Sequence, residues 1–189
     1  IVVGGGNFLR GATFASQSIP RYTADYLGML ATVINACALR ETLEGHGQPA
    51  RVLSAIPVQQ VCEPFARRNC LEHFEKGRVV ILAGGTGNPF FSTDTCAALR
   101  ASEIDAELII KATKVDGVYT DDPMTNPEAK LLTEITFGDV IKNNLKVIYA
   151  AAMTLCSEND IPVIVLNIFK DGNITRALRG EKVGTLISK

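Results

Sequence analysis

The feature that most constrains the fold of this chain is an alternation of short β-branched or aliphatic runs with longer segments of helical periodicity. The run at 79–82 (VVIL) is apolar throughout, which favours a strand covered on both faces of a sheet. Between residues 23 and 44, apolar residues recur at three- and four-residue steps, which predicts a helix with one apolar stripe, ended by Gly45 in the left-handed conformation. Strands and helices that alternate in this way predict βαβ units, and hence an α/β fold on a mostly parallel sheet.

Turn residues and periodicity set the remaining predicted boundaries. Pro64 is suited to the first turn of a helix, and Gly77 to its end. Strands are predicted at 1–3, 51–55, 78–83, about 107–112, 162–168 and 184–188, and helices at 23–44, 64–77, 93–102 and about 150–159. With 189 residues and no visible linker or repeat, the chain is expected to form a single domain spanning 1–189.

The charge balance excludes several classes of partner. Lys and Arg number 19 and Asp and Glu 20, for a formal net charge of −1, so no broadly basic surface for nucleic acid or anionic membrane is indicated. No apolar run approaches the ~18 residues that span a bilayer, and no signal segment opens the chain. We therefore expect a soluble, cytoplasmic protein that binds neither nucleic acid nor membrane, on which any anion site is local.

The cysteines and histidines indicate neither a metal site nor a covalent mechanism. Five cysteines occur without a C-x-x-C pair, so reduced thiols are expected rather than disulfides or zinc. Neither histidine has a partner at metal-ligand spacing, and both are expected at the surface. No G-x-S-x-G elbow is present, which disfavours covalent catalysis. The residues concerned are Cys37, Cys62, Cys70, Cys96 and Cys156, with His46 and His73.

A first glycine loop, residues 4–11 (GGGNFLRG), follows the opening strand. Ligands of open α/β sheets bind beyond the carboxyl ends of the strands, which is where this loop is predicted to lie. Three successive glycines allow backbone N–H groups to approach an anion closely, and Arg10 adds a guanidinium fork suited to phosphate oxygens. The alternative is a plain tight turn with a solvated arginine.

The second glycine loop, residues 83–94 (AGGTGNPFFSTD), matches neither common nucleotide motif. It lacks the Gly-Lys-Ser/Thr ending of a P-loop, and Phe90 stands where a dinucleotide fingerprint needs glycine. Its hydroxyls, amide, backbone donors and two aromatic rings are suited to hydrogen-bond the edge of a nucleobase and pack on its face. Asp94, at a predicted helix start, is either an N-terminal cap or a carboxylate directed into the pocket.

The third loop, residues 111–123 (KATKVDGVYTDDP), has two interpretations. Asp116-Gly117 between apolar residues is a hairpin signal, so a β-turn is the first. The second is a further nucleotide site, because the segment supplies lysine and hydroxyl donors, an aromatic face and an acceptor for sugar hydroxyls. The residues that supply them are Lys111, Thr113, Lys114, Tyr119 and Asp122.

These segments, in this order, resemble the bacterial-type UMP kinases (uridylate kinases) of the amino acid kinase family. The resemblance runs through 3–7, 10–11, 25–32 (DYLGMLAT), 84–94, 111–119 and 180–186 (GEKVGTL), and so covers essentially the whole chain. The GTGNPFF segment is highly specific for these enzymes, whereas GGGN and KVDGV are shared more widely in the family. The resemblance implies a three-layer α/β/α sandwich and transfer of the γ-phosphoryl group of ATP to UMP in pyrimidine nucleotide biosynthesis.

The resemblance also implies roles for matching positions. By this resemblance, Gly5 and Arg10 contact phosphates, and Asp25 binds the ribose of UMP. The uracil and sugar of UMP are bound by Thr86, Gly87, Asn88, Pro89, Phe90, Phe91, Ser92 and Thr93. ATP is bound by Gly6, Arg10, Thr113, Tyr119 and Asp122. Arg10 and Asp94 are the expected catalytic residues, with Asp94 acting through Mg²⁺ or its waters, because the metal in this family is held mainly by nucleotide phosphates.

The chain departs from the family's pattern at two places. Members have a strand and a Lys-x-Ser-Gly loop ahead of the first glycine loop, and we therefore expect that a segment before Ile1 is missing from the sequence. Members also usually have Met-Asp after the Lys-Val that here occupies 146–147, where this chain has Ile148-Tyr149. A phenol thus replaces a carboxylate that helps the transfer in the family.

The resemblance further implies a homo-oligomer, commonly a hexamer, activated by GTP and inhibited by UTP. The apolar stripe predicted at 23–44 suits either a subunit contact or burial in the protein's own core. Arg40, Arg51 and Arg78 suit either a regulatory nucleotide site or surface salt bridges. Two other functions stay open: a kinase of the same family acting on a carboxylate or carbamate, and a non-catalytic uridine-nucleotide sensor.

Overall fold

The computed structural model describes residues 1–15, 18–121, 125–126, 128–143, 145 and 147–189. They form two compact units, residues 1–96 and residues 97–189. Within these described ranges, no helix is both long enough and apolar enough to cross a membrane.

The first unit is a parallel sheet with helices packed on it. Its elements are α1 (Gly11–Phe14), α2 (Arg21–Gly45), β1 (Ala50–Ser54), β2 (Glu63–Pro64), α3 (Arg67–Glu75), β3 (Val79–Ala83) and the start of α4 (Thr93–Glu103). β1 lies between β2 and β3 and is parallel to both. The extended segment predicted at 1–3 is present as a parallel bridge between Val2 and Leu82.

The core of the first unit depends on a small residue of α2. Ala36 is fully buried, and with Val33 it packs against Val52 of β1 and Ile81 of β3. Because alanine has no side chain beyond Cβ, the helix comes close to the sheet at this point without leaving a void. Close packing of α2 on β1 and β3 fixes the strand ends from which the glycine loops leave.

The strand register places three loops at one edge of this sheet. Ser54 of β1 pairs with Ala83 of β3, and Val2 is bridged to Leu82 of β3. Because these segments are parallel, their carboxyl ends meet at the same edge. The first glycine loop, the segment after β1 and the second glycine loop all leave from that edge.

The second unit has a mixed four-stranded sheet and a small hairpin. Its further elements are β4 (Ile109–Thr113), β5 (Val118–Tyr119), β6 (Leu131–Leu132), β7 (Glu134–Thr136), α5 (Phe137–Lys142), α6 (Ala150–Glu158), β8 (Val163–Asn167), α7 (Asn173–Leu178) and β9 (Thr185–Ser188). The sheet order is β4-β8-β9-β7, in which only the β8–β9 pair is antiparallel among the described strands. β5 and β6 pair antiparallel with each other.

The α/β class with largely parallel pairing is confirmed, and most predicted elements begin and end within two residues of the observed ones. Two predicted helix boundaries are wrong. Gly45 is the last residue of α2, and it is Gly47 that has the left-handed φ of 81°, because the chain closes the helix with a hydrogen bond from Gln48 N to Leu43 O at 2.9 Å. Pro64 lies in β2, paired with β1, and the helix begins only at Arg67.

The Asp116-Gly117 pair does not form a hairpin turn. β4 pairs with β8 and β5 with β6, so the strands on either side of the pair are not partners. Gly117 also lacks the positive φ that a type I′ turn requires. Glycine is needed there for space instead, because a Cβ would contact Thr185 Oγ1 and would lie 3.0 Å from Leu131 Cδ1.

Candidate active site

The first two glycine loops come together at the carboxyl edge of the first unit's sheet. A Cβ placed on Gly4 would lie 3.7 Å from Thr93 Oγ1, so the start of one loop contacts the end of the other. Asp25 of α2 touches both loops. Its backbone N would lie 3.0 Å from a Cβ on Gly11, and its Oδ2 accepts a hydrogen bond of 2.8 Å from Phe90 N. The segments predicted to bind phosphate and base therefore adjoin one site.

Gly5 is buried against the backbone of α2. A Cβ on it would lie 2.6 Å from the carbonyl oxygen of Gly28 and 2.9 Å from Ala31 Cβ, closer than real Cβ atoms come. The loop turns back here, because the N–H groups of Phe8 and Leu9 both donate to the Gly5 carbonyl oxygen at 3.0 Å. The absence of a side chain is what allows the loop to lie directly on the helix.

Arg10 is exposed where α1 begins. Its side chain lies over Gly6, where a Cβ would be 3.2 Å from Arg10 Nε. A side chain at Gly6 would therefore displace the guanidinium. The exposed guanidinium next to a glycine-rich backbone is accessible to an anion, and phosphate binding by Arg10 stays a prediction.

The Asp25 carboxylate is bound from two sides. Arg21, one turn earlier on α2, donates Nε to both carboxylate oxygens at 2.8 and 2.9 Å. The N–H of Phe90 is the second donor, so the carboxylate joins the helix to the second loop. The Arg21 guanidinium also lies 5.5 Å from the centroid of the Phe90 ring, a cation–π contact. A carboxylate has about four acceptor positions, and these hydrogen bonds from Arg21 and Phe90 use three of them.

The second loop is a series of turns that glycine makes possible. Three of its glycines have a left-handed φ: Gly84 (77°), Gly85 (58°) and Gly87 (82°). Thr86 Oγ1 donates to Asn88 O and accepts from Asn88 N, both at 3.2 Å. After the half-buried Pro89, Phe90 and Phe91 are 67% and 57% exposed. Phe90 itself has φ 71°, an unusual backbone for a bulky residue and one of the kinds of strain found at functional sites.

Ser92, not Asp94, caps α4. Ser92 Oγ accepts a hydrogen bond from Thr95 N at 3.1 Å, and the Ser92 carbonyl oxygen accepts one from Cys96 N at 3.0 Å. The capping interpretation of Asp94 is therefore wrong. Asp94 lies half-buried in the first turn of α4, next to Thr93 and so beside the place where the two loops meet.

In the second unit, the third loop begins at the carboxyl ends of β4 and β8. Thr113 ends β4 in register with Asn167, which ends β8, and Thr113 Oγ1 accepts a hydrogen bond from Val115 N at 3.1 Å. Asp116 accepts from Lys170 Nζ at 2.8 Å and from Asn167 Nδ2 at 2.9 Å. These hydrogen bonds, that of Lys170 first, lower the pKa of the Asp116 carboxyl from its ordinary value.

The other predicted residues of the third loop are Lys111, Lys114, Tyr119 and Asp122. Tyr119 is half-buried in β5, and Lys114 is exposed. Lys111 Nζ donates to the carbonyl oxygen of Val147 at 2.8 Å. Asp122 lies outside the described residues.

Of the two histidines, only His46 is exposed as predicted. The prediction for His73 is wrong: it is 7% exposed and lies between Glu63 and Arg78. Arg78 Nη1 lies 3.1 Å from its Nδ1, and Glu63 Oε2 lies 3.2 Å from its Nε2. Because a guanidinium can only donate, Nδ1 accepts and Nε2 carries the proton. Contacts with these two residues give the ring a structural role.

The five cysteines are free thiols, as predicted. Burial, together with nearby Cys37, raises the pKa of the Cys62 thiol, which disfavours the reactive thiolate. Among the residues that the structure describes, no group of three or more His, Cys, Asp or Glu side chains is placed to hold a metal ion.

Sequence reasoning missed several described residues whose side chains contact the loops, among them Thr32, Asn35, Asn167 and Lys170. Thr32 and Asn35 of α2 hydrogen-bond to the first two loops, and Asn167 and Lys170 hydrogen-bond to the third. The spacing of Thr32 and Asn35 from Asp25 along one helix is a signal that could have identified the first pair. No comparable pattern marks the second pair, which depends on the pairing of β4 with β8.

Comparison with known proteins agrees with this architecture. Residues 1–167 match the amino acid kinase family. Uridylate kinase PUMPKIN, chloroplastic, of Arabidopsis thaliana is 56% identical over 188 residues, which are 99% of this chain and 56% of that protein. The uridylate kinase of Methylococcus capsulatus is 51% identical over 187 residues, which are 99% of this chain and 78% of that protein. The chain therefore belongs to the amino acid kinase family.

Solved structures agree with the same fold. The crystal structure of UMP kinase from Bacillus anthracis has a TM-score of 0.96 at 38% identity and covers 100% of this chain and 78% of its own. That of UMP kinase from Ureaplasma parvum has a TM-score of 0.93 at 40% identity and covers 98% and 80%. The chain spans only about half the length, 56%, of the plant relative.

Proposed function

We propose that the protein is a UMP kinase, which transfers the γ-phosphoryl group of ATP to UMP and releases UDP and ADP. The observation that carries the proposal is the junction of the two glycine loops at Asp25, where phosphate-binding and base-binding segments adjoin one site. Sequence identities of 51% and 56% to uridylate kinases support the same reaction.

In this proposal, the first loop and Arg10 bind phosphate oxygens through backbone N–H groups and the guanidinium fork. Asp25 accepts a hydrogen bond from a ribose hydroxyl, and the second loop positions the uracil. A phosphate oxygen of UMP attacks the γ-phosphorus of ATP, and the bond from that phosphorus to the β,γ-bridging oxygen breaks. In such a transfer the protein supplies in-line positioning and balances negative charge.

Gly6, Arg10, Thr113 and Tyr119 stay predictions as ATP-binding residues, as the family resemblance implies. The ring of Tyr119 provides an aromatic face suited to the adenine. Asp122 stays a prediction as an acceptor for the ribose of ATP.

Mg²⁺ fits the donors that this chain provides. The ion is usually bound by one or two carboxylates together with substrate phosphates, and Asp94 is a carboxylate beside the junction of the loops. Bound to the nucleotide phosphates, Mg²⁺ would neutralise part of their charge. Asp94 would hold the ion directly or through its waters.

The direct test is ADP release measured with UMP, CMP, aspartate, acetylglutamate and carbamate as acceptors. We expect ADP release with UMP, because the second loop presents exposed aromatic rings and backbone donors suited to a planar base. A response to an acid substrate alone would contradict the base assignment. Calorimetry that detects tight UMP binding, beside no turnover, would instead favour the uridine-nucleotide sensor.

We also propose that the protein self-associates through α2, and a hexamer is the expected assembly. The helix buries one face in its own core and exposes a second, apolar stripe of Tyr26, Leu30 and Ile34 at four-residue spacing. Contiguous exposed apolar side chains are typical of protein–protein interfaces.

Ile34→Asp is expected to lower the oligomer mass measured by light scattering, because it places a charge on the exposed apolar stripe. Ile141→Asp in α5 is the matched control, since Ile141 is 57% exposed and Ile34 is 55% exposed. An unchanged mass in the Ile34 variant would assign the contact to another surface.

Regulation by GTP and UTP and a cytoplasmic location stay proposals. Arg40 and Arg51 each form an ion pair of 2.7 Å, with Glu41 and Glu44 respectively, and these contacts favour the salt-bridge interpretation of both arginines. The plant relative is described as chloroplastic, so location differs among related chains.

A further inference from the structure

Four residues on one face of α2 contact the first two glycine loops. They follow each other at steps of three, four and three residues, which places them on the same side of a helix. They are Asp25, Gly28, Thr32 and Asn35. Asp25 and Gly28 contact the loops as described above. Thr32 and Asn35 hydrogen-bond to loop backbone with their side chains and have no assigned part in the reaction.

Thr32 binds the second loop at its origin. Its side chain is buried, and its Oγ1 donates to the Met29 carbonyl oxygen and accepts from Gly84 N, both at 2.7 Å. Gly84 is also buried and directly follows β3. A buried N–H without an acceptor costs free energy. The hydrogen bond from Gly84 N–H to Thr32 Oγ1 therefore stabilises the position of the loop against α2.

Asn35 binds the first loop in a corresponding way. Its Nδ2 donates to Gly4 O and to Asn7 Oδ1, both at 2.7 Å, and its Oδ1 accepts from Asn7 Nδ2 at 3.1 Å. The two bound residues lie on either side of Gly5 and Gly6. One amide of α2 therefore holds the stretch of the loop that is proposed to bind phosphate.

We propose that Thr32 and Asn35 are positioning residues for phosphoryl transfer, through which one face of α2 sets the separation of the base-binding loop and the phosphate-binding loop. The inference deepens the proposed function and rests on it. Both residues act through the backbone of a loop rather than on the substrate. A displacement of about 1 Å can cost about 10²-fold in rate, so loss of either contact changes kinetics even where the fold persists.

Thr32→Val tests the first contact, because valine keeps the shape of threonine and removes its hydroxyl. In the protein at its natural full length, we expect KM for UMP to rise about 10- to 100-fold with a smaller change in kcat, since the base-binding loop is displaced. Thr32→Ser keeps the hydroxyl and is expected to restore most of the wild-type KM. Thr42→Val is the matched control, since the Thr42 hydroxyl donates to Ala38 O within α2.

Asn35→Ala tests the second contact. We expect kcat to fall about 10- to 100-fold with little change in KM for UMP, because the loop that carries Arg10 is displaced. Asn159→Ala is the matched control, since Asn159 Nδ2 donates to Leu155 O at 2.8 Å, within the region of α6. If Asn35 had only a structural role, Asn35→Ala would lower the stability of the protein without lowering kcat selectively over KM.

Amide hydrogen exchange supplies a readout that does not depend on activity. In Thr32→Val, Gly84 N–H is expected to exchange faster, whereas the amides of α2 keep their wild-type rates. Faster exchange at Gly84 together with wild-type KM and kcat would overturn the inference, as would equal kinetic effects from Thr42→Val. If the wild type forms no ADP from UMP, the proposed function fails. In that case the hydrogen-exchange result for Thr32→Val decides the inference. Unchanged protection of Gly84 N–H overturns it, and lost protection supports the contact between Thr32 and Gly84.

Discussion

Arg10→Ala is expected to lower kcat for UDP formation by about 10² to 10³ or more, the usual cost of removing one donor aimed at developing charge. Arg10 is exposed and its side chain lies over the glycine loop at Gly6. Its loss therefore removes charge from the proposed phosphate site and little packing from the core. Steady-state kinetics with saturating ATP and UMP measure the effect.

Two variants sharpen this prediction. Arg10→Lys keeps the charge but loses the planar fork, so kcat is expected between the alanine variant and wild type. Arg68→Ala removes an arginine that is 89% exposed on α3 and is expected to leave kcat unchanged. Activity of Arg10→Ala within about threefold of wild type would remove Arg10 from its proposed role.

Gly84→Ala is expected to lower the free energy of unfolding by about 2–5 kcal/mol. Part of the cost is the left-handed backbone, φ 77°, which disfavours any residue with a Cβ. The rest is steric: the new Cβ would lie 2.8 Å from Ser54 Oγ, 2.9 Å from Ile56 N and 3.0 Å from Ala55 N. Two of these atoms are backbone, so the loop must move. Urea unfolding measures the free energy, and KM for UMP reports the displaced loop.

Gly47→Ala separates the two causes. Gly47 has nearly the same backbone, φ 81°, but no atom lies within 4 Å of its Cβ position. Gly47→Ala is expected to lower the free energy of unfolding only by the cost of the left-handed backbone, about 1–2 kcal/mol, and to keep the wild-type KM. Equal losses of stability in the two variants would mean that the contacts with the segment after β1 do not constrain Gly84.

The secondary structure was largely predictable because its signals are local. The apolar run of β3 and the periodicity of α2 predict their elements to within two residues. The short elements β2, β5, β6 and β7 carry two or three residues each, too few for any periodicity to develop. Pro64 illustrates the limit: its fixed φ suits a helix start or an edge strand equally, and pairing with β1 selected the strand.

The loops of the candidate site could be located from the sequence, but the contacts between them could not. The glycines and Arg10 predicted a phosphate loop from chemistry alone, with a plain tight turn as the alternative. The partners of Asp25 and His73 were not visible, because Phe90 is 65 residues from Asp25 and Glu63 is ten residues from His73. Asp94 illustrates the same point, since two nearby residues compete for the cap and only geometry selects Ser92.

By itself, the sequence determined the α/β class, the order of its longer strands and helices, and the positions of three loops with groups suited to bind a nucleotide. These follow from side-chain periodicity and from the conformational freedom of glycine, which act over a few neighbouring residues. Only the tertiary structure decided that α2 binds the first two loops through Asp25, Thr32 and Asn35. Those hydrogen bonds join residues 28 to 65 positions apart, and their existence depends on strand register and helix packing rather than on local preference.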